Sequence, residues 1–418
     1  MASHPWSVDL HSHTTYSDGS QSPAGLVRLA KANGVRVLSV TDHDHTGGID
    51  EALAVGAQDG VEIIPGIELS VSHAEFEDIH ILAYYFAWHA PRLLEQLEAF
   101  RLARETRAER ILERINAKLA AQGRAAIAYE SVKARVKGAF GRPHIAGLLV
   151  ERGYVPDMNS AFKEYLIPCN VPKYSMSATE ALGLIRQARG LSAVAHPRLI
   201  TPERVRLRQV IHELRACGLD GIEAYHSDHG PEDRLYFIQL ANELGMMIAG
   251  GSDYHGFKPP AGHTDGGGKL GSLQLPYSLA VQLRRAYLAR YPMALLLLQW
   301  PAAPAAAMRR ALGTQYELAS VGMSHGEPLA QTMAGMSASP GSLVVDLPAD
   351  DNAELEAMMA EGKQQGLLCV GVPWETASPG EHRGLHRTTK VSLQRFQHTA
   401  IERLAHELVH EAILVQLQ

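Results

Sequence analysis

Seven short apolar runs, several of them followed by a loop and a stretch of helical spacing, set the strongest limit on what this chain can fold into. They are Val8–Leu10, Val35–Val40, Val61–Ile67, Ile79–Ala83, Ser192–Ala195, Gly221–Ala224 and Met247–Gly250. Pro23 to Asn33 carries apolar residues at Leu26, Leu29 and Ala30 and is closed by Gly34, the pattern of a helix with a glycine C-cap. Helical spacing returns over Pro202–Cys217 and Glu232–Leu244. This alternation predicts a parallel α/β barrel or sheet. In barrels the reactive groups sit at the C-terminal ends of strands, which directs attention to the residues just after each run.

Those positions hold metal-ligand side chains. The chain has 21 histidines. The first run leads into His11-Ser12-His13 and then Asp18, and the second into Asp42-His43-Asp44. The third ends at Glu68, the fourth carries His80, the fifth ends at His196, and the seventh leads to Asp253 and His255. A lone histidine is usually a satisfied structural residue, but six strands in order each delivering a ligand are not chance. His11 and His13 are two apart, so in extended backbone both point to one face. Nitrogen and oxygen donors without thiolate suit manganese, iron or zinc. Glu68, with two oxygens, is the natural bridge between cations. Cations so grouped bind a phosphate dianion and lower the pKa of a shared water to about 7, supplying hydroxide for in-line attack. Phosphate-ester hydrolysis is therefore the expected reaction.

Two other regions differ in character. Residues 88–173 interrupt the alternation with a helix over Ala99–Gln122, apolar at Ile111, Ile115 and Leu119. Residues 101–145 hold eleven Lys and Arg against four Glu, a local +7 in a chain of net charge −6. From about Arg285 the pattern predicts a smaller α/β domain, with strands at Ala294–Gln299, Glu317–Val321, Leu343–Leu347 and Leu367–Val372 and helices at Asn352–Gln365 and Val391–Leu417. The expected division is thus residues 6–284, with the insertion inside them, and residues 285–418, whose role and partner the sequence does not disclose.

At the ligand positions the chain resembles the PHP family, named for polymerase and histidinol phosphatase. The resemblance is strongest to its branch of bacterial nucleoside-3',5'-bisphosphate phosphatases and 5'-to-3' exoribonucleases. It spans roughly Val8–Ser272 and includes Gly141-Arg142-Pro143-His144 and Phe162-Lys163-Glu164-Tyr165-Leu166 in the insertion. The resemblance implies a distorted seven-stranded (β/α) barrel holding three divalent ions, manganese first, with iron or zinc as alternatives. It implies His11, His13, Glu68 and Asp253 for one ion, Asp18, His43 and His255 for a second, and Glu68, His80 and His196 for a third. Asp18, His43, Glu68, Asp253 and His255 would carry the catalysis through a hydroxide held between ions. Arg142, His144 and His229 would contact substrate phosphate. The implied substrate is a 3',5'-bisphosphonucleoside or the 5' end of short RNA. Another small phosphate ester such as histidinol phosphate is the alternative within the class, and a regulatory protein sensing a phosphorylated ligand the alternative outside it.

Other signals have plainer readings. Asp9, Asp42 and Asp44 flank ligand histidines and could be ligands themselves, but are expected to orient imidazoles, with capping of the following turn the alternative for Asp42 and Asp44. His45, His89 and His212 read as surface histidines. Gly266-Gly267-Gly268-Lys269 lacks the upstream glycine and the following Ser/Thr of a phosphate loop, since His263 and Leu270 stand there. His406-Glu407-Leu408-Val409-His410 matches a zinc-protease motif, but apolar spacing through Leu404, Leu408 and Leu414 predicts a packing helix. Three cysteines exclude a disulfide framework. The longest apolar run, Ile81–Trp88, falls far short of the ~20 residues that span a bilayer, and no apolar leader follows Met1, so a cytoplasmic protein without membrane attachment is expected.

Overall fold

The computed structural model describes residues 7–135, 142–171, 176–256, 268–298, 300, 302–316, 319–322, 343–347, 368–373, 386–387 and 401–417. His263, Gly266, Gly267, Gly141 and the helix expected at Asn352–Gln365 lie outside them. The chain divides into two compact units, Met1–Leu279 and Ala280–Gln418.

In the first unit β1 (Ser7–Asp9), β2 (Val35–Val40), β3 (Glu62–His73), β4 (Phe76–Tyr84), β5 (Met176–Ser177), β6 (Leu191–Val194), β7 (Gly221–Tyr225), β8 (Met247–Gly250) and β9 (Leu275–Pro276) form one sheet. Its order is β8-β7-β6-β4-β3-β2-β1-β9, with β5 beside β3. That is nine strands where seven were expected. β5 and β9 are two residues each, too short to leave a pattern in the sequence. Nor is the sheet all parallel. β4 runs antiparallel to both β3 and β6. Only Ala74 and Glu75 separate β3 from β4, which leaves no room for a crossover and dictates a hairpin. The sheet nearly closes on itself: Leu10 N–H donates to Gly250 O at 3.1 Å, Asp253 N–H to His11 O at 2.9 Å and His13 N–H to Tyr254 O at 2.9 Å.

Two helices cover one flank. Pro23–Ala32 is capped by Ser22, whose hydroxyl accepts from Gly25 N–H, and Ile49–Asp59 ends on Gly60 in left-handed conformation. Leu26, Val27 and Ala30 pack with Ala52 on Val35, Leu38, Val40 and Ile63. Burying one such Val, Leu or Ile side chain contributes roughly 1.5–3 kcal/mol. The insertion has a core of its own, where Ile111, Ile115 and Leu119 meet Ile145, Leu149, Tyr165 and Leu166. Its long helix runs Pro91–Ala121, starting eight residues before the sequence pattern suggested, because Pro91 takes the first-turn position where its missing N–H costs nothing.

In the second unit β10 (Met293–Leu298), β11 (Ala319–Gly322), β12 (Leu343–Leu347), β13 (Leu368–Pro373) and β14 (His386–Arg387) form a parallel sheet of order β11-β12-β10-β13-β14. Helix Ile401–Leu417 buries His406 and His410. Tyr316 Oη lies 2.8 Å from His406 Nδ1, and burial together with Arg284 holds His410 well below the ordinary imidazole range. The two histidines are interior packing residues, and among the described residues no third ligand joins them. No described helix is long and apolar enough to cross a membrane.

Candidate metal centre

Glu68 is the hub. It lies in the middle of β3, not at its end, because the apolar pattern resumes beyond it at Leu69 and Val71. On the antiparallel hairpin Ser70 pairs with His80 and Glu68 with Leu82, which sets Glu68 and His80 diagonally on one face. Oε2 of Glu68 lies 3.3 Å from His11 Nε2, 3.3 Å from His13 Nε2 and 3.0 Å from His43 Nδ1. Oε1 lies 3.0 Å from both His80 Nδ1 and His196 Nε2. Five imidazoles from four strand segments thus converge on one fully buried carboxylate.

The remaining carboxylates extend the cluster. Asp253 Oδ1 stands 3.2 Å from His11 Nε2 and 3.0 Å from His13 Nε2. Asp18 Oδ1 stands 3.3 Å from His255 Nε2, and Oδ2 3.8 Å from His43 Nε2. Among the described residues four groups have ligand atoms mutually within 4.8 Å: His11, His13, Glu68 and Asp253; His13, Asp18, His43 and His255; His43, Glu68 and His80; and His11, Glu223 and His226. The structure brings eight of the nine expected ligands into these groups, and sets the ninth, His196, 3.0 Å from Glu68 Oε1 outside them. Its grouping differs from the expected one in adding His13 to Asp18, His43 and His255 and in setting His43 beside His80 and Glu68.

The donor set fits divalent cations. His11 Nε2, Asp18 Oδ1, His43 Nδ1, Glu68 Oε2 and His196 Nδ1 are buried without a hydrogen-bond partner. Leaving such groups unmatched costs roughly 1–3 kcal/mol each, and coordination offsets it. Burial would raise the Glu68 carboxyl, but His43, His11 and His80 hold it well below the usual range. Asp253 is likewise buried yet held low by His11 and His255, so both arrive ionised, as ligands must. Three of the seven non-glycine residues with positive φ among the described residues lie here. Asp44, His196 and Asp253 have φ of 48°, 27° and 54°, a region that costs a non-glycine residue about 1–3 kcal/mol.

Two participants were missed in the sequence. Glu223, fully buried in β7, accepts from His11 Nδ1 at 2.9 Å and from His196 N–H at 2.6 Å. With Nδ1–H committed to Glu223, His11 presents the lone pair of Nε2 to the centre. His226, 1% exposed, accepts from Asp228 N–H at Nδ1 and so turns Nε2–H toward Asp253 Oδ2 at 3.4 Å. The available signal was a lone acid within the apolar run Gly221-Ile222-Glu223-Ala224. Glu223→Gln is expected to weaken metal binding about 10–100-fold, the usual cost of losing such a partner. Metal retention after dialysis against graded chelator measures this, and unchanged retention would leave Glu223 a packing residue.

Asp9 and Asp42 do not orient imidazoles. Asp42 accepts from Thr14 N–H at 2.7 Å, Thr14 Oγ1 at 2.6 Å and Ser17 Oγ at 2.6 Å, fixing the loop between His13 and Asp18. Asp9 accepts from Ser252 N–H at 2.8 Å and Gly271 N–H at 2.9 Å. Asp44 takes Ser70 N–H at 2.8 Å. His229 lies beside His226 with ring centroids 5.3 Å apart, donates Nδ1–H to Ala224 O at 3.0 Å, and is pushed down to about 4 by burial. Its free Nε2 is therefore an acceptor, which argues against the expected role as a phosphate donor. Arg142 and His144 begin the insertion helix Arg142–Glu151, where the Arg142 guanidinium lies 5.7 Å from the Phe162 ring centroid. Among the described residues no hydrogen bond or ion pair joins Arg142 to the histidine cluster.

The chain is similar to proteins already known. Residues 9–150 match the model of the PHP domain. The chain is 34% identical over 252 residues to a 5'-3' exoribonuclease of Haemophilus influenzae, covering 59% of this chain and 89% of that one. It is 32% identical over 253 residues to a 3',5'-nucleoside bisphosphate phosphatase of Chromobacterium violaceum, covering 59% and 87%. A Bifidobacterium adolescentis crystal structure described as a metal-dependent phosphoesterase superposes with TM-score 0.58 at 28% identity, covering 68% of this chain and 97% of that one.

Proposed function

This chain belongs to the PHP family and is a metal-dependent phosphohydrolase; on that premise we propose that it cleaves a phosphate ester of a nucleotide, a 3',5'-bisphosphonucleoside first and the 5' end of short RNA second. The observation that carries the reading is Glu68, whose two oxygens are shared among five imidazoles as a bridge between cations requires. His11, His13, Glu68 and Asp253 would hold one ion, Asp18, His43 and His255 a second, and Glu68, His80 and His196 a third. Bound cations, manganese the first choice, supply water ionised near neutral pH and offset phosphoryl charge. The protein's own part is to keep these donors ionised, correctly tautomeric and fixed. Glu223 does this for His11, His226 for Asp253, and the Asp253 carbonyl for His255, accepting Nδ1–H at 2.9 Å.

The insertion supports a substrate with more than one phosphate, though less of its charge is available than the composition suggests. Arg107 and Arg114 bind the Asn170–Val171 backbone, Lys118 binds Glu164 O, Arg124 binds Tyr154 O and Tyr165 Oη, and Arg135 pairs with Glu151. These cations staple the insertion's own fold. Arg142 lies over an aromatic ring instead, which leaves its planar N–H fork for a bidentate phosphate contact. His144 stands two residues on, about half a turn round the same helix, and is proposed as a further substrate-phosphate contact. Arg142→Ala is expected to raise KM for a 3',5'-bisphosphonucleoside about tenfold or more, with little change for phenyl phosphate, and wild-type KM should climb with ionic strength. Equal impairment of both substrates would make Arg142 structural. The substrate class is tested by assaying 3',5'-bisphosphoadenosine, a 5'-phosphorylated oligonucleotide and histidinol phosphate side by side with manganese. Preference for histidinol phosphate would overturn it.

A further inference from the structure

His13 stands in two of the ligand groups at once, one with Glu68 and Asp253 and one with Asp18, His43 and His255. Its Nε2 lies 3.0 Å from Asp253 Oδ1 and 3.3 Å from Glu68 Oε2, whereas its Nδ1 lies 3.8 Å from Asp18 Oδ1. The ring is fully buried and stacked on His255, with centroids 4.1 Å apart and planes 17° from parallel. Its orientation is therefore fixed, and the position of its proton is what differs between the two roles. A neutral imidazole carries one N–H and one lone pair, so that proton decides which nitrogen can coordinate a cation.

We propose that Ser17 is a positioning residue that keeps the proton of His13 on Nδ1 and so reserves Nε2 for the ion shared with His11, Glu68 and Asp253. Ser17 Oγ lies 3.4 Å from His13 Nδ1 and donates to Asp42 Oδ1 at 2.6 Å. A hydroxyl has a single proton, and a carboxylate only accepts, so Ser17 turns lone pairs alone toward the imidazole. Hydrogen bonds to a carboxylate are about twice as strong as neutral ones, which fixes this direction. Asp42 is buried and also accepts from Thr14 N–H and Thr14 Oγ1, so it is held in place. It bonds to no imidazole among the described residues and acts through this one hydroxyl. Were the Ser17 proton turned to Nδ1 instead, His13 would carry its own proton at Nε2, facing Asp253 and Glu68, and the first ion would lose a ligand. A second consequence follows for the neighbouring group. An Nδ1–H cannot coordinate, so the second ion is left to Asp18, His43 and His255. The inference rests on the metal-dependent reading above and is independent of the nucleotide substrate.

The test uses the full chain, stripped of metal and reloaded with zinc, as wild type, Ser17→Ala, Ser17→Thr and Thr14→Val. Competition with graded chelator gives the affinity for each ion. Ser17→Ala is expected to weaken one ion about tenfold, the lower end of the usual cost of losing a partner that orients a ligand. Ser17→Thr keeps the hydroxyl and should restore that affinity. Thr14→Val is the control for loop structure, since Thr14 also gives Asp42 a hydroxyl bond at 2.6 Å but bonds to no imidazole among the described residues. It should bind zinc as wild type does. Sequence-assigned ring nitrogen signals of the zinc-loaded, histidine-labelled wild type report the tautomer directly and decide alone where a variant does not fold. The expected spectrum shows His13 protonated at Nδ1 and coordinated through Nε2. Coordination through Nδ1 overturns the proposal. So does unchanged zinc affinity in Ser17→Ala, or an equal loss in Ser17→Ala and Thr14→Val, which would make Ser17 a loop residue only. A wild-type chain that binds no zinc or manganese sinks the metal reading itself, and this proposal with it.

Discussion

Glu68→Gln is expected to lower kcat/KM by about 10³-fold or more and to reduce bound metal by more than one ion per chain. The several kcal/mol that cation chemistry contributes convert at about 1.4 kcal/mol per factor of ten. The substitution keeps shape and volume, so packing does not explain a loss. What it removes is the charge and one of two acceptor oxygens, and each oxygen faces a different set of imidazoles: His11, His13 and His43 at Oε2, His80 and His196 at Oε1. An amide placed either way turns N–H groups toward nitrogens that must offer lone pairs. Asp18→Asn makes the contrast, because among the described residues the imidazoles near Asp18 are His13, His43 and His255. It should cost one ion and leave those near His80 and Asp253 in place. Metal analysis of the purified proteins, with kcat/KM on one phosphoester, decides both. If Glu68→Gln retains a full metal complement, Glu68 is not the bridge.

The residues of the cluster were legible because each follows or lies on a strand, and strands of this kind declare themselves as short apolar runs. Geometry inside the sheet was not. The run at Val61–Ile67 stops at Glu68 in the sequence because a charged residue breaks an apolar pattern, yet the strand continues to His73 since that charge is matched inside the sheet by imidazoles from other segments. Glu223 was invisible for the same reason in reverse: an acid in the apolar β7 declares no role until its partners, 212 residues away at His11 and 27 away at His196, are in place. Strand order is a third case. The runs of the second unit at Leu343–Leu347 and Leu368–Pro373 were readable, but β12 and β13 flank β10 on opposite sides, which no local pattern encodes. Side-chain charge counts misled most in the insertion, where Arg107, Arg114 and Arg124 serve backbone carbonyls.

Closure of the sheet onto His11 gives the second large effect. Gly251 follows β8 and lies against the segment leaving β1, where a Cβ would come within 2.2 Å of His11 N and 2.4 Å of His11 Cβ. Its neighbours make the bonds that close the sheet, Gly250 O to Leu10 and Asp253 N–H to His11 O. Both partners of those bonds carry metal-centre residues, so the segments cannot part without moving His11 relative to Asp253. Gly251→Ala is therefore expected to destabilise the first unit by about 1–3 kcal/mol, the range for overpacking a tight interior, and to reduce metal affinity together with activity. A glycine without that constraint is the control. Gly183 sits inside helix Ala178–Gln187 with nothing within 4 Å of an added Cβ. There alanine should stabilise by up to about 1 kcal/mol through helix propensity and leave turnover unchanged. Thermal unfolding of both variants, with and without manganese, separates the two. If Gly251→Ala melts as wild type does and still binds its ions, the segment after β8 tolerates displacement, and the alignment of His11 with Asp253 does not depend on that close approach.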